Sequence, residues 1–307
     1  MIRLKFSKVF LPIIIGLSFG CSGNVEEPKD DGNETEEKSE VGLIPINISM
    51  KPFSRVTDTS YEVNDKVGIY VVNYVGDNPG ILSPTGNHAD NIGFTYKEDW
   101  IPDKEVYWKD NATKADFYCY YPFCDVDNVE AVPCRVQTDQ SSIGNYKKSE
   151  FLWGKAFGIT PTSSAVHITT NRIVSCMIID IKPGKGYTQE ELASADVDVE
   201  ICNVHTYASL NLKNGSTTPS GELNNITPYK TEGSSFKALM IPQNVDAANK
   251  LVSISIDGVE YTYSKEMEFK PNKKHTFTIT VNKVNGSIDI GIGGWEENEE
   301  DYGGSAE

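Results

Sequence analysis

The sequence predicts an all-β protein of two antiparallel β-sandwich domains in tandem, with one short helix in the second. Three observations carry this. Apolar and polar residues alternate over short runs; those runs are rich in Tyr, Phe, Val and Ile; and clusters of Gly, Pro, Asn and Asp separate them. At 307 residues, 38% apolar and 10% aromatic, the chain has a globular, strand-favouring composition and length enough for two modest domains.

Residues 1–20 read as an export signal. Arg3, Lys5 and Lys8 precede a nearly unbroken apolar run, Phe10 to Phe19. That run falls short of the roughly 20 apolar residues a bilayer anchor needs and has the length of a signal-peptide core. It ends at Gly20-Cys21, which resembles a lipobox, so the mature chain is expected to begin at a lipidated Cys21. Residues 21–42 then form an acidic tether. From Ser22 to Gly42 there are eight Asp or Glu, two Lys and no aromatic residue, too little apolar surface to fold.

The first sandwich is expected over residues 43–164. Ile44, Ile46, Ile48 and Met50 alternate with Pro45, Asn47, Ser49 and Lys51, which puts one face in a core, and Pro45 suits an edge or a strand start. Strands follow at Val67–Val75, Ile92–Tyr96, Glu105–Trp108, Asp116–Tyr121 and Phe151–Trp153. A Thr/Ser-rich hinge at Thr160–Ser164 leads into the second sandwich, residues 165–295. Its strands are Val166–Thr170, Ile173–Ile181, Val197–Val204, Tyr207–Leu212, Phe236–Ile241, Leu251–Ile256, Val259–Tyr263, His275–Val281 and Ser287–Ile292. Thr188, with Glu191 three residues on, forms a capping box that opens a helix over Gln189–Ala195. The last strand, with Ile288, Ile290 and Ile292, repeats the alternation of the first, and residues 296–307 form an acidic tail.

Charge and motifs narrow the function. The formal net charge is -16, and loss of the three signal cations takes the exported chain to -19. Such a surface repels phosphate backbones and disfavours nucleic-acid binding. The four His, at 88, 167, 205 and 275, fall in no metal-binding spacing, and no nucleophile elbow, Walker loop or C-x-x-C occurs. Asp125, Asp127, Asn128 and Glu130 offer oxygens but lack the sixth-position Gly and terminal Glu of a calcium loop, so they read as a solvated turn. Tyr74, Trp100 and Trp108 read as core aromatics rather than a sugar platform. No catalytic residue, metal site or cofactor is expected. With Cys21 lipidated, Cys119, Cys124, Cys134, Cys176 and Cys202 are an odd number, so a disulfide framework does not hold the fold; spacing leaves a Cys124–Cys134 bridge open.

The order of local patterns resembles the fimbrillin family, the lipoprotein-derived subunits of type V pili. The matching pieces are Phe53-Ser54-Arg55 with Thr57, YEVNDKVGIY from Tyr61 to Tyr70, Tyr107-Trp108, DFYCYYP from Asp116 to Pro122, EFLWG from Glu150 to Gly154, KHTFTITVNK from Lys274 to Lys283, and Ser287 to Trp295. Asn64 stands where the family has Gly, and Asn171 where a His often stands. The resemblance implies two transthyretin-like sandwiches and export to the outer membrane as a surface lipoprotein. It also implies cleavage after an arginine, here between Arg55 and Val56, and assembly with other subunits by strand exchange. In that scheme the strand bearing Ile44, Ile46, Ile48 and Met50 is removed, and one bearing Ile288, Ile290 and Ile292 is donated. The competing expectation is a monomeric or pilus-tip surface lipoprotein that holds host protein or glycan through sandwich loops.

Overall fold

The computed structural model describes residues 43–52, 61–283 and 288–292, with residues 51–52 and 288–292 described by backbone alone. The signal, Cys21, the tether, Arg55, Val56 and the acidic tail lie outside the described residues. The first strands are β1 (Ile48–Pro52), β2 (Lys66–Asn73), β3 (Ala89–Lys97), β4 (Asp99–Pro102), β5 (Ala115–Tyr121) and β6 (Val132–Arg135). After the short helix α1 (Ile143–Lys147) come β7 (Leu152–Ile159), β8 (Val166–Arg172) and β9 (Ser175–Pro183), then α2 (Gln189–Ser194). The remainder is β10 (Val197–Leu210), β11 (Thr217–Ile226), β12 (Tyr229–Lys230), β13 (Ser235–Met240), β14 (Gln243–Val245), β15 (Lys250–Ile256), β16 (Val259–Ser264), β17 (Met267–Phe269), β18 (Lys274–Val281) and β19 (Ile288–Ile292).

Most of the N-terminal half is one seven-stranded sheet in the order β1-β8-β7-β5-β2-β3-β4. Two five-stranded sheets follow, β11-β10-β15-β16, with β6 also paired to β10, and β12-β13-β9-β18-β19; β14 and β17 make a small ribbon. Pairing is antiparallel except for β1 on β8 and β9 on β18, which are parallel. The all-β expectation holds, and the helix opens as expected, with the Thr188 side chain on the Glu191 backbone and the Glu191 side chain on the Thr188 backbone.

The seven-stranded sheet is covered on both faces at its centre. Val67, Ile69 and Val71 of β2 and Phe117 and Cys119 of β5 enter one core, together with Ile46, Ile48 and Met50. Tyr70, Val72, Tyr118 and Tyr120, on the opposite face, enter a second and larger core built around Met177, Ile179 and Ile201. This explains why VGIYVV and DFYCYY read as unbroken apolar runs: a strand buried on both faces has no polar side to alternate.

The hinge expected at Thr160–Ser164 is instead the loop of a hairpin. It joins β7 to β8, which pair antiparallel, and β8 lies between β7 and β1 in the first sheet. The change of sheet comes after Arg172, at the buried Ile173 and Val174. Other departures have local causes. Val197–Val204 and Tyr207–Leu212 merge into β10, because bulges in its pairing with β11 absorb the irregular stretch around Asn203 and Thr206. β11 is a polar edge strand carrying Pro219 and Gly221, a composition that protects an edge but hides the strand from an apolar search. Glu105–Trp108 forms only an isolated bridge, Tyr107 to Pro45.

Gly154 shows how closely β7 and β8 approach. A Cβ there would sit 2.2 Å from the Thr169 carbonyl oxygen, which is backbone and cannot swing away. Gly154→Ala should therefore lower stability by roughly 1–3 kcal/mol, read as a reduced urea midpoint with an unchanged slope.

Candidate strand-exchange surface

Residues 44–52 hold the curled first sheet shut, and they do it by changing partners along their length. At the start, the Ile46 amide donates to the Val106 carbonyl at 2.8 Å and the Trp108 amide donates to the Ile44 carbonyl at 2.9 Å. Further on, the Val166 amide donates to the Asn47 carbonyl at 2.8 Å, and β1 then runs parallel to β8 from Ile48 opposite Val166 to Pro52 opposite Thr170. The segment thus closes the seam between Val106–Trp108, which follows edge strand β4, and the free side of β8. One bond spans that seam without it: the Trp108 indole donates to the Thr162 carbonyl at 3.1 Å.

The alternation read from sequence is the alternation of burial. Ile46, Ile48 and Met50 are 4%, 6% and 6% exposed, and Ile44 is half-buried at the entrance. Beside them in the same sheet stand Val166 and Ile168 of β8, and Cys119 of β5 joins the same core, with its thiol 3.2 Å from the Met50 thioether. Burial of three such side chains is worth roughly 5–9 kcal/mol by area, an upper estimate. That is comparable with the whole stability of an ordinary domain, about 5–15 kcal/mol. A chain that lost this segment could not leave the groove empty.

At Thr170, which stands opposite Pro52, β8 meets a residue that periodicity does not single out. Tyr61 places its hydroxyl 2.9 Å from the buried Thr170 hydroxyl and its ring edge-on to Trp100 at 4.7 Å, with Tyr121 and Tyr96 alongside. Burial pushes the Tyr61 phenol far above its usual range. Its trace in the sequence is the aromatic opening of YEVNDKVGIY, a local pattern that does not encode a tertiary partner.

At the other end of the described chain, β19 is an edge strand, antiparallel to β18. Ile288, Ile290 and Ile292 stand in register with Val281, Ile279 and Phe277. The remaining candidates are structural. Trp100 and Trp108 are core residues, and Tyr74 is half-buried at the end of β2. Glu130 pairs with Lys213, and Asn128 accepts from the Glu130 amide. Among the described residues no group of three or more His, Cys, Asp or Glu is placed to hold a metal ion. Cys119, Cys124, Cys134, Cys176 and Cys202 are all free thiols, so the Cys124–Cys134 bridge is not formed.

The model of the fimbrillin-like family matches residues 54–295. The chain belongs to the fimbrillin-like family. No curated protein sequence matches it. Solved structures share the fold of this fimbrillin-like chain. A candidate cell adhesion protein from Bacteroides uniformis is 21% identical, with a TM-score of 0.60 over 81% of this chain and 95% of that one. A candidate cell adhesion protein from Bacteroides ovatus gives 15% and 0.63 over 82% and 96%. A fimbrial protein from Bacteroides ovatus gives 15% and 0.52 over 77% of this chain and 48% of that one.

Two outcomes follow for the groove. Ile48→Ala should cost about 2–5 kcal/mol and make Cys119 react with maleimide in the folded protein, located by peptide mass spectrometry. Burial raises the Cys119 thiol above its ordinary 9.0 in the folded chain. The folded thiol then stays protonated while the unfolded one ionises, so stability is unaffected below that pH and falls as pH rises above it. Urea denaturation at about pH 7 and about pH 10 should show the loss, and Cys119→Ala should flatten part of it.

Proposed function

We propose that this fimbrillin-like chain is a structural subunit of a cell-surface fimbria. It is exported to the outer membrane as a lipoprotein through Cys21, cut between Arg55 and Val56, and joined to other subunits by strand exchange. The observation that carries the reading is that the first and last described strands, β1 and β19, are both sheet edges. An edge strand leaves by breaking one ladder, for the first segment together with the two bonds from residues 44–46 to Val106 and Trp108, whereas a central strand breaks two full ladders, and the row of amides and carbonyls exposed is a template for another chain.

The arginines support the cut. Beyond the signal, the chain has Arg55, Arg135 and Arg172. Arg135 is held in β6 and stacks on Tyr207, and Arg172 is held in β8 with its Nε 2.8 Å from Glu150. A protease must bind its substrate extended and unpaired, which disfavours both. The family match also begins at Ser54, just past β1.

Donor and groove belong to different copies, so the contact is heterologous and propagates as a fibre. Two exposed apolar residues on the loop from β2 to β3, Val75 at 77% and Ile81 at 80% exposure, favour a second reading. In it the chain is a tip or monomeric surface lipoprotein that holds host protein or glycan through its loops.

Cells expressing the natural chain should yield surface protein starting at Val56 and ladders that resist boiling in detergent. Arg55→Ala should yield a lipidated chain starting at Cys21 and monomer only. Natural surface protein that starts only at Cys21 would remove the processing reading, and monomer at every stage would leave the second.

A further inference from the structure

The two ends of the first sheet differ in character. β1 is parallel to β8 and starts opposite Val166, so the chain that precedes it meets the sheet where β7 turns into β8. The Trp108 indole on the Thr162 carbonyl and the Tyr74 amide on the Lys114 carbonyl bring residues 109–114 and 74–88 to that same end. Leu43, Val75, Ile81 and Phe157 stand out from it, at 67%, 77%, 80% and 49% exposure. Residues 43–47, 74–88, 109–114 and 157–165 carry Lys109 and Lys114 against Asp77 and Asp110, no net charge in a chain of -16. At the other end, where the Phe123 amide meets the Lys66 carbonyl, residues 61–65 and 122–131 carry Glu62, Asp65, Asp125, Asp127 and Glu130 and no cation of their own.

We propose, on the lipoprotein reading of Cys21, that Leu43, Val75, Ile81 and Phe157 seat this end of the precursor on the lipid surface that carries its anchor, so that the domain stands upright on the membrane. An end with exposed apolar side chains and no net charge is the part of an acidic molecule that a headgroup layer accepts. The chain also brings it there. In sequence, 21 residues, Ser22 to Gly42, separate Cys21 from Leu43, and an unfolded chain of that length has a root-mean-square reach of about 25 Å. An anchor so close gives an effective concentration on the order of millimolar, so contacts too weak to recruit a free protein still set its stance. The partner of Val75 and Ile81 in the precursor is then its own membrane, not the host protein or glycan of the second reading. β1 runs away from this end, and Arg55 follows its far residue, Pro52, by three positions. An upright domain therefore holds the bond to be cut on the side away from the bilayer.

The test uses the full lipid-bearing chain, kept uncut by Arg55→Ala, in vesicles of phosphatidylcholine with and without its dibrominated form, which quenches tryptophan. In separate chains Ile81→Trp and Val75→Trp report the near end, and Val63→Trp, on the turn into β2 at 63% exposure, reports the far end. All three positions are exposed, so the cores stay intact. The emission added at 81 or 75 should fall by roughly half or more, because an apolar side chain seated about 5–10 Å into the headgroup boundary meets the quencher. The emission added at 63 should not change. Equal quenching at the two ends overturns the upright stance; quenching at neither overturns the membrane as partner and leaves Val75 and Ile81 to a protein or glycan. A chain that does not float with the vesicles and has no lipid on its N-terminal peptide removes the lipoprotein reading, and the stance with it.

Discussion

Closure of the first sheet by residues 44–52 is the constraint on which the rest depends. Seven strands curl far enough to bring β1 and β4 close, but the edges do not pair with each other. Val106–Trp108 on one side and β8 on the other each need hydrogen-bond partners, and between them lies an apolar floor. One segment satisfies both by pairing first with one and then with the other. Its three buried side chains supply the apolar cover, and its backbone supplies the ladder. A closed sheet has no edge to offer a neighbour; a sheet closed by a separable segment has one in reserve.

The same segment explains why the groove has a definite length. It begins at the bridge between Pro45 and Tyr107 and runs to Pro52 opposite Thr170, whose hydroxyl bonds Tyr61. Both ends are fixed by residues that are not part of β1. Tyr61 packs on Trp100 and Tyr121 and leads into β2, and the Trp108 indole is tied to Thr162 as well as its amide to Ile44. Each wall thus has contacts of its own besides those to the segment between them.

Much of this was legible in the sequence, and the parts that were not share a physical cause. Ile46, Ile48 and Met50 could be read as one buried face because a half-buried strand writes its environment as a period of two. VGIYVV and DFYCYY were legible as strands but not as the doubly covered centre of a sheet, since a run without alternation does not say what lies on its second face. β8 was found and assigned to the wrong side of Thr160–Ser164, because a Thr/Ser loop looks the same whether it joins two domains or two strands of a hairpin. β11 was missed because an edge strand protected by Pro219 and polar residues resembles a loop. The packing of Tyr61 is not legible because it depends on Thr170 and Trp100, 109 residues after it in one case, and no local pattern encodes that meeting.

The acidic balance of the chain bears on what a fibre of such subunits can be. Subunits that start at Val56 carry 36 Asp or Glu against 21 Lys or Arg, a net charge of -15; they repel at short range, and at physiological salt the repulsion decays over about 8 Å. Strand insertion works at contact distance through apolar burial and backbone hydrogen bonds, neither of which salt screens appreciably. The longitudinal joint can therefore form against the repulsion, while lateral contacts between acidic flanks offer little apolar surface to oppose it. On the strand-exchange reading the two properties divide the labour: the end strands favour growth along one axis, and the surface charge disfavours bundling across it. An alternating apolar strand at a sheet edge is ordinarily an aggregation hazard, and the acidic residues that follow Trp295 in the sequence oppose indiscriminate pairing there.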